Sequence, residues 1–186
     1  MKTLPKTLTD DELAALLKAA NGRYPNATKN LCMIRLMCDA GLRSCEIRQL
    51  KIADVNMTTC AVSVHNSKHG RSRRVWIAEE LRELIGKWLD IREDIESPWL
   101  FCTRTGLKLQ RSSLQNTVST YARKAGIERT VSPHALRHTF ATRLYRATLD
   151  IRLVQKALGH ADLSTTMIYT HVVDDDLQSA MVRLHA

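Results

Sequence analysis

The chain has 186 residues, 44% hydrophobic and 25% charged, which suits one globular domain with a real core. No apolar run nears the roughly 20 residues of a membrane span, and the opening MKTLPKTLTDDEL lacks the apolar core of a secretory signal, so a cytoplasmic location is expected. A net charge of +9 predicts a polyanionic partner, while five cysteines (32, 38, 45, 60, 102) without a C-x-x-C pair argue against a disulfide framework or a zinc ribbon.

In chain order, Thr9 is expected to cap a first helix, with Glu12 as its capping-box partner and Leu13, Leu16, Leu17 and Ala20 as its apolar face. Asn21-Gly22 ends it. A second helix is expected at about 28–40, stopping at Gly41, and a short third one at 44–50. Segments 52–55, 60–65 and 73–77 have strand composition, and the last two flank the basic turn 66–71 as a hairpin. Helices resume at 79–91 and 112–125. Ser132-Pro133 is a good helix start, N-cap then N1, for a helix to about 146. Another covers 151–158 and is closed by Gly159, and a further one holds 164–169. Asp174, Asp175 and Asp176 cap a last helix on which Val173, Leu177, Met181 and Leu184 form one stripe. The expected fold class is mainly α with a small antiparallel β-sheet (α+β), as one domain over 1–186. The few aromatic residues are too scattered for a single-strand stacking platform.

Several short stretches carry chemistry. In the run 133–138, His134 and Arg137 are i,i+3 neighbours on a helix, and His134 and His138 are i,i+4 neighbours. A proton-transfer group and a permanent cation thus share a face. A zinc pair of His134 and His138 is disfavoured, because no third ligand stands at a useful spacing and H-E-x-x-H is absent. His160 follows the helix-ending Gly159, Tyr169 sits on a short helix, and Arg43 stands three residues before Glu46 at a helix start. Singly, each has an ordinary reading as a cap, a half-buried core residue or a surface ion pair.

Their order has another meaning. G-L-R-x-x-E-I at 41–47, a basic hairpin turn, H-x-L-R-H at 134–138, L-G-H at 158–160, then Tyr169 nine residues on, together resemble the tyrosine recombinase (phage integrase) family. Xer-type and phage integrases are the nearer likeness, through SPHALRHTFATRL and VQKALGHADLSTTMIYTHV. The resemblance spans about 5–185 and implies the catalytic-domain fold of that family. It implies a catalytic set of Arg43, Lys68, His134, Arg137, His160 and the nucleophile Tyr169, with Glu46 orienting Arg43 and His138 in a supporting role. Lys68 shares its hairpin with Arg71, Arg73 and Arg74, and these four cations are expected to meet DNA backbone phosphates.

The implied reaction is cutting and rejoining of double-stranded DNA through a 3′-phosphotyrosyl bond. Planar guanidiniums suit the non-bridging oxygens of the phosphate, and neighbouring cations and His134 activate a phenol of pKa about 10. Lys68 is the candidate acid for the leaving 5′ oxygen. No metal, cofactor or ATP is expected, and no P-loop or G-x-G-x-x-G is present. A homo-oligomer, a tetramer on DNA, is implied through the C-terminal helix, although its stripe equally suits folding back on its own domain. Family members usually carry an N-terminal DNA-clamping domain, which is expected to be absent here, as in an excised piece or a naturally short recombinase. The alternatives are a type IB topoisomerase-like relaxing enzyme and a non-catalytic DNA-binding relative.

Overall fold

A computed structural model describes residues 7–21, 24–65 and 72–159, together with Thr166 and Tyr169. The expected helices at 164–169 and after 173 lie outside the described residues, apart from Thr166 and Tyr169 themselves. Helix α1 (Asp10–Ala20) starts on the capping box read from the sequence: Thr9 Oγ1 accepts from the Glu12 amide at 3.1 Å, and Glu12 Oε2 accepts from the Thr9 amide at 2.9 Å. Helix α2 (Pro25–Cys38) begins three residues earlier than expected, because Pro25 fills N1, where its missing N–H costs nothing.

Leu31, Cys32, Met33, Ile34, Leu36, Met37 and Cys38 of α2 are all buried, on every side of the helix. It is therefore the central rod of the domain, packed between α1, helix α4 (Glu79–Ile91) and helix α6 (Pro133–Thr148). Each fully buried aliphatic chain on it contributes about 1.5–3 kcal/mol. Helix α3 (Ser44–Gln49) follows a tight corner at Gly41, whose φ of +66° is left-handed. A Cβ there would run into the Phe140 ring of α6, so glycine lets the corner lie directly on α6.

Strands β1 (Val55–Asn56), β2 (Ala61–His65) and β3 (Ser72–Trp76) form an antiparallel sheet in that order. Val62 pairs with Val75 and Val64 with Arg73, which puts Arg73 on the same face as buried valines. The stretch 52–55, expected as a strand, is instead a 3-10 turn at Ile52–Asp54, and only Val55 and Asn56 pair with β2. Asp54 Oδ2 accepts from the Lys51 amide at 2.8 Å, and this local bond curls the segment out of an extended path.

Helix α5 (Arg111–Lys124) packs on α1, and α6 runs two residues past the expected end to Thr148. The α6 start is as expected, with Pro133 at N1 and Ser132 Oγ accepting from the Ala135 amide at 3.2 Å. Helix α7 (Ile151–Leu158) is capped by Asp150 and closed by Gly159 at φ +63°. A small second core of Ala141, Val154, Leu158 and Tyr169 joins α6 and α7.

Candidate active site

Four separated segments meet at the end of α2: the 41–46 corner, β3, the first turns of α6, and the C-terminal end of α7. The last turn of a helix leaves carbonyls without intrahelical partners and carries the negative end of the helix dipole. Three guanidiniums settle on those of α7. Arg137 Nη2 donates to the Leu158 carbonyl at 2.7 Å, Arg43 Nη1 to the same oxygen at 3.4 Å, and Arg73 Nε to the Ala157 carbonyl at 3.2 Å. Arg137 Nη1 also donates to the Gly41 carbonyl, which ties α6 to the corner.

One carboxylate sits among these cations. Glu46 Oε2 accepts from the Arg43 amide at 2.7 Å, and Oε1 from Arg43 Nη1 at 3.0 Å. Arg73 adds a two-pronged grip, Nη1 to Oε1 at 2.7 Å and Nη2 to Oε2 at 2.9 Å, and Arg137 stands 3.8 Å away. Burial alone would raise the Glu46 carboxyl, but the Arg73 bonds and charge, the Arg43 amide and Arg137 outweigh it, so its pKa is lowered. Among the described residues, three guanidiniums thus gather around one carboxylate in a half-buried place. The conflict shows at Arg137, 5% exposed, whose pKa is pushed down to about 9 by burial and then by the Arg43 charge. A guanidinium still stays charged at neutral pH, so the described part of the site is a cluster of cations.

Beside the cations lies a phenol. Tyr169, 2% exposed, packs among Ala141, Val154 and Leu158, with its hydroxyl 2.6 Å from His138 Nδ1. Burial pushes the phenol up to about 12, against the pull of Arg137 and Arg43. His138 is pushed down to about 4, by burial first and then by His134 and Arg137, so both partners are neutral near pH 7 and share one proton. His134 is exposed, its ring 6.0 Å from that of His138 and edge-on to it. It faces a concavity of about 590 Å³ shared with Ser44, Gln110, Arg111, Ser112 and Ser132.

The structure therefore brings together Arg43, Glu46, His134, Arg137, His138 and Tyr169 from the residues singled out in the sequence. Arg74 lies exposed on the outer face of β3. Arg73, expected to face DNA phosphates with it, is turned inward onto Glu46. Lys68, Arg71 and His160 lie outside the described residues. Sequence reasoning also missed that His138, rather than His134, bonds the phenol. No local signal could have shown it, since 31 positions separate the two residues. Arg73 did carry a signal: it alternates with Val75 of its strand and with Ile77 just beyond it, both buried. Among the described residues, no three His, Cys, Asp or Glu side chains are grouped to hold a metal ion, and no helix is long and apolar enough to cross a membrane.

A family model described as the phage integrase family matches residues 6–175. The tyrosine recombinase XerC of Vibrio cholerae serotype O1 is 36% identical over 174 residues, covering 92% of this chain and 55% of that protein. The tyrosine recombinase XerA of Pyrococcus furiosus is 37% identical over 185 residues, covering 98% of this chain and 63% of that protein. Among solved structures, a XerA recombinase superposes with a TM-score of 0.86 at 32% identity, covering all of this chain and 67% of that one. The XerH site-specific recombinase, bound to a palindromic difH substrate after cleavage, gives 0.85 at 32% identity over 99% of this chain and 54% of that one. The chain thus spans little more than half the length of the curated relatives it matches.

Proposed function

The chain belongs to the phage integrase family as the catalytic domain of a tyrosine recombinase, and on that premise we propose that it cuts and rejoins duplex DNA at a specific site with Tyr169 as nucleophile. The observation that carries this reading is the meeting of Arg43 and Arg137, from separate segments, on one α7 carbonyl beside a hydrogen-bonded phenol. A phosphodiester is the anion that makes use of both. Arg43 and Arg137 hold its non-bridging oxygens, each donor contributing about 3–4 kcal/mol to the transition state. The Tyr169 oxygen attacks phosphorus, the bond to the 5′ oxygen breaks, and a 3′-phosphotyrosyl ester is left. Attack by a 5′ hydroxyl of the same or a partner duplex reverses the step, so the ester keeps the bond energy.

Forming the phenolate first, from a pKa of about 12 at pH 7, costs about 7 kcal/mol. Attack is therefore coupled to removal of the proton, and His138 is already bonded to it. A phosphate on the arginines offsets part of the positive charge that holds His138 down. His134, on the open side, is the second candidate to move the proton, and Lys68 the candidate acid for the leaving oxygen. We read His160 as a further donor to the phosphate, Arg71 and Arg74 as backbone contacts, and the stripe of Leu177, Met181 and Leu184 as the seat of a neighbouring copy in a tetramer on DNA. Duplex DNA is the proposed partner.

The test is a nicked duplex whose cleavage releases a short strand and so traps the intermediate. A denaturation-resistant protein–DNA adduct is expected with the unaltered chain and none with Tyr169→Phe. An adduct that persists in Tyr169→Phe would end the assignment. Strand exchange between two duplexes, rather than relaxation of a supercoil alone, separates recombination from topoisomerase-like turnover.

A further inference from the structure

We propose that Arg73 is a positioning residue of this site: by occupying both oxygens of Glu46 it keeps Arg43 free to hold the scissile phosphate, and it fastens the β2–β3 hairpin to the end of α7. The inference rests on the recombinase reading above. Three observations carry it. Arg73 sits on the inward face of β3, paired with buried Val64, and its side chain is only 14% exposed. All three of its guanidinium nitrogens are engaged within the domain, two on Glu46 and one on the Ala157 carbonyl. It is also packed tightly against the turn after α7: a Cβ at Gly159 would stand 2.9 Å from Arg73 Cδ. Each of its three nitrogens is thus already turned to a partner inside the domain.

The consequence falls on Arg43. Its Nη1 alone serves Glu46 and Leu158, while Nε and Nη2 take no partner among the described residues, on a side chain 29% exposed. Those are the donors a phosphate would meet. A planar guanidinium and a carboxylate prefer to close a two-bond fork. With Arg73 gone, the nearly buried Glu46 would seek that fork with Arg43, and so compete with DNA for the nitrogens the reaction needs. Arg73 satisfies the carboxylate first. It also ties β3, which follows Lys68 in the sequence, to the end of α7, which precedes His160.

The test compares the unaltered chain with Arg73→Gln and Arg73→Lys in single-turnover cleavage of the nicked duplex at saturating DNA, with affinity measured by anisotropy across a salt series. Removing one preorganised donor from such a site costs 10²–10³ in rate, and drawing Arg43 partly away is expected to cost about 10–100-fold in Arg73→Gln. Affinity should stay within about twofold and its salt slope unchanged. Arg73→Lys should recover only part of the rate, because an ammonium cannot bridge both carboxylate oxygens and the carbonyl. Three results would overturn the proposal. Arg73→Gln could cleave within about twofold of the unaltered chain. It could bind DNA more weakly with a salt slope lowered by about one, the mark of a lost phosphate contact. Or it could lower the reacting fraction at an unchanged rate constant, the mark of a folding role alone. Should Arg73→Gln not fold, Arg73→Lys carries the same comparison. If the unaltered chain forms no adduct, the recombinase reading fails instead.

Discussion

Replacing Glu46 with Gln removes the carboxylate that, among the described residues, pairs with a cluster of three guanidiniums, while keeping the side-chain shape. Breaking a buried ion pair by deleting one partner costs about 3–5 kcal/mol, because the other charge is left uncompensated. Here Arg43, 29% exposed on its side chain, can turn to water, whereas Arg73 at 14% and Arg137 at 6% cannot. The expected loss therefore falls at the low end, about 3 kcal/mol. For a domain of this size each kcal/mol lowers Tm by about 2–4 °C, so a fall of about 6–12 °C is expected in thermal unfolding at neutral pH. The pH dependence has a definite sign. The folded Glu46 pKa is depressed below its ordinary 4.5, so its stabilisation is complete above pH 4.5 and is lost as pH falls through the folded value. The gap between the two proteins should narrow on the acid side and stay constant above about pH 5. Sulfate should restore more stability to Glu46→Gln than to the unaltered chain, since an anion then replaces the missing charge. A Tm within about 2 °C of the unaltered chain at neutral pH would refute the claim that Glu46 neutralises the cluster.

His138→Gln should make the protein less acid-sensitive: a histidine held down to about 4 gives stability that is complete above pH 6.5 and lost as pH falls through 4, and comparing Tm across that window checks it. Tyr169→Phe should narrow its stability difference from the unaltered chain at high pH, because a phenol raised to about 12 gives stability that is complete below pH 10 and lost through 12; urea unfolding at pH 9 and pH 11 reads it. Gly41→Ala forces a side chain into a left-handed corner and against Phe140. It should cost at least about 1–3 kcal/mol from backbone strain alone, and lower cleavage at saturating DNA by shifting Arg43; unfolding and adduct formation measure the two effects.

Most of the helical framework follows from local rules. The Thr9 and Glu12 box, Pro133 behind Ser132, and Gly159 after Leu158 act within four residues of themselves, so their helices begin or end where reading them places the boundary. The 52–55 stretch defeated the same reasoning: its composition suits a strand, and one Asp54 bond to the Lys51 amide overrode it. At the site, residue types and their order were enough to nominate Arg43, Glu46, His134, Arg137 and Tyr169, because phosphoryl chemistry needs those groups and the spacing matches a family that has them. Which of them touch is another matter. The bond between His138 and Tyr169, the seating of three arginines on the last carbonyls of α7, and the inward turn of Arg73 all join residues 21 to 115 positions apart. Such contacts exist only after packing has chosen which helix end meets which corner. A single guanidinium has the same sequence signature whether it faces a phosphate or a buried carboxylate, and only the face of the strand it occupies in the folded domain separates the two.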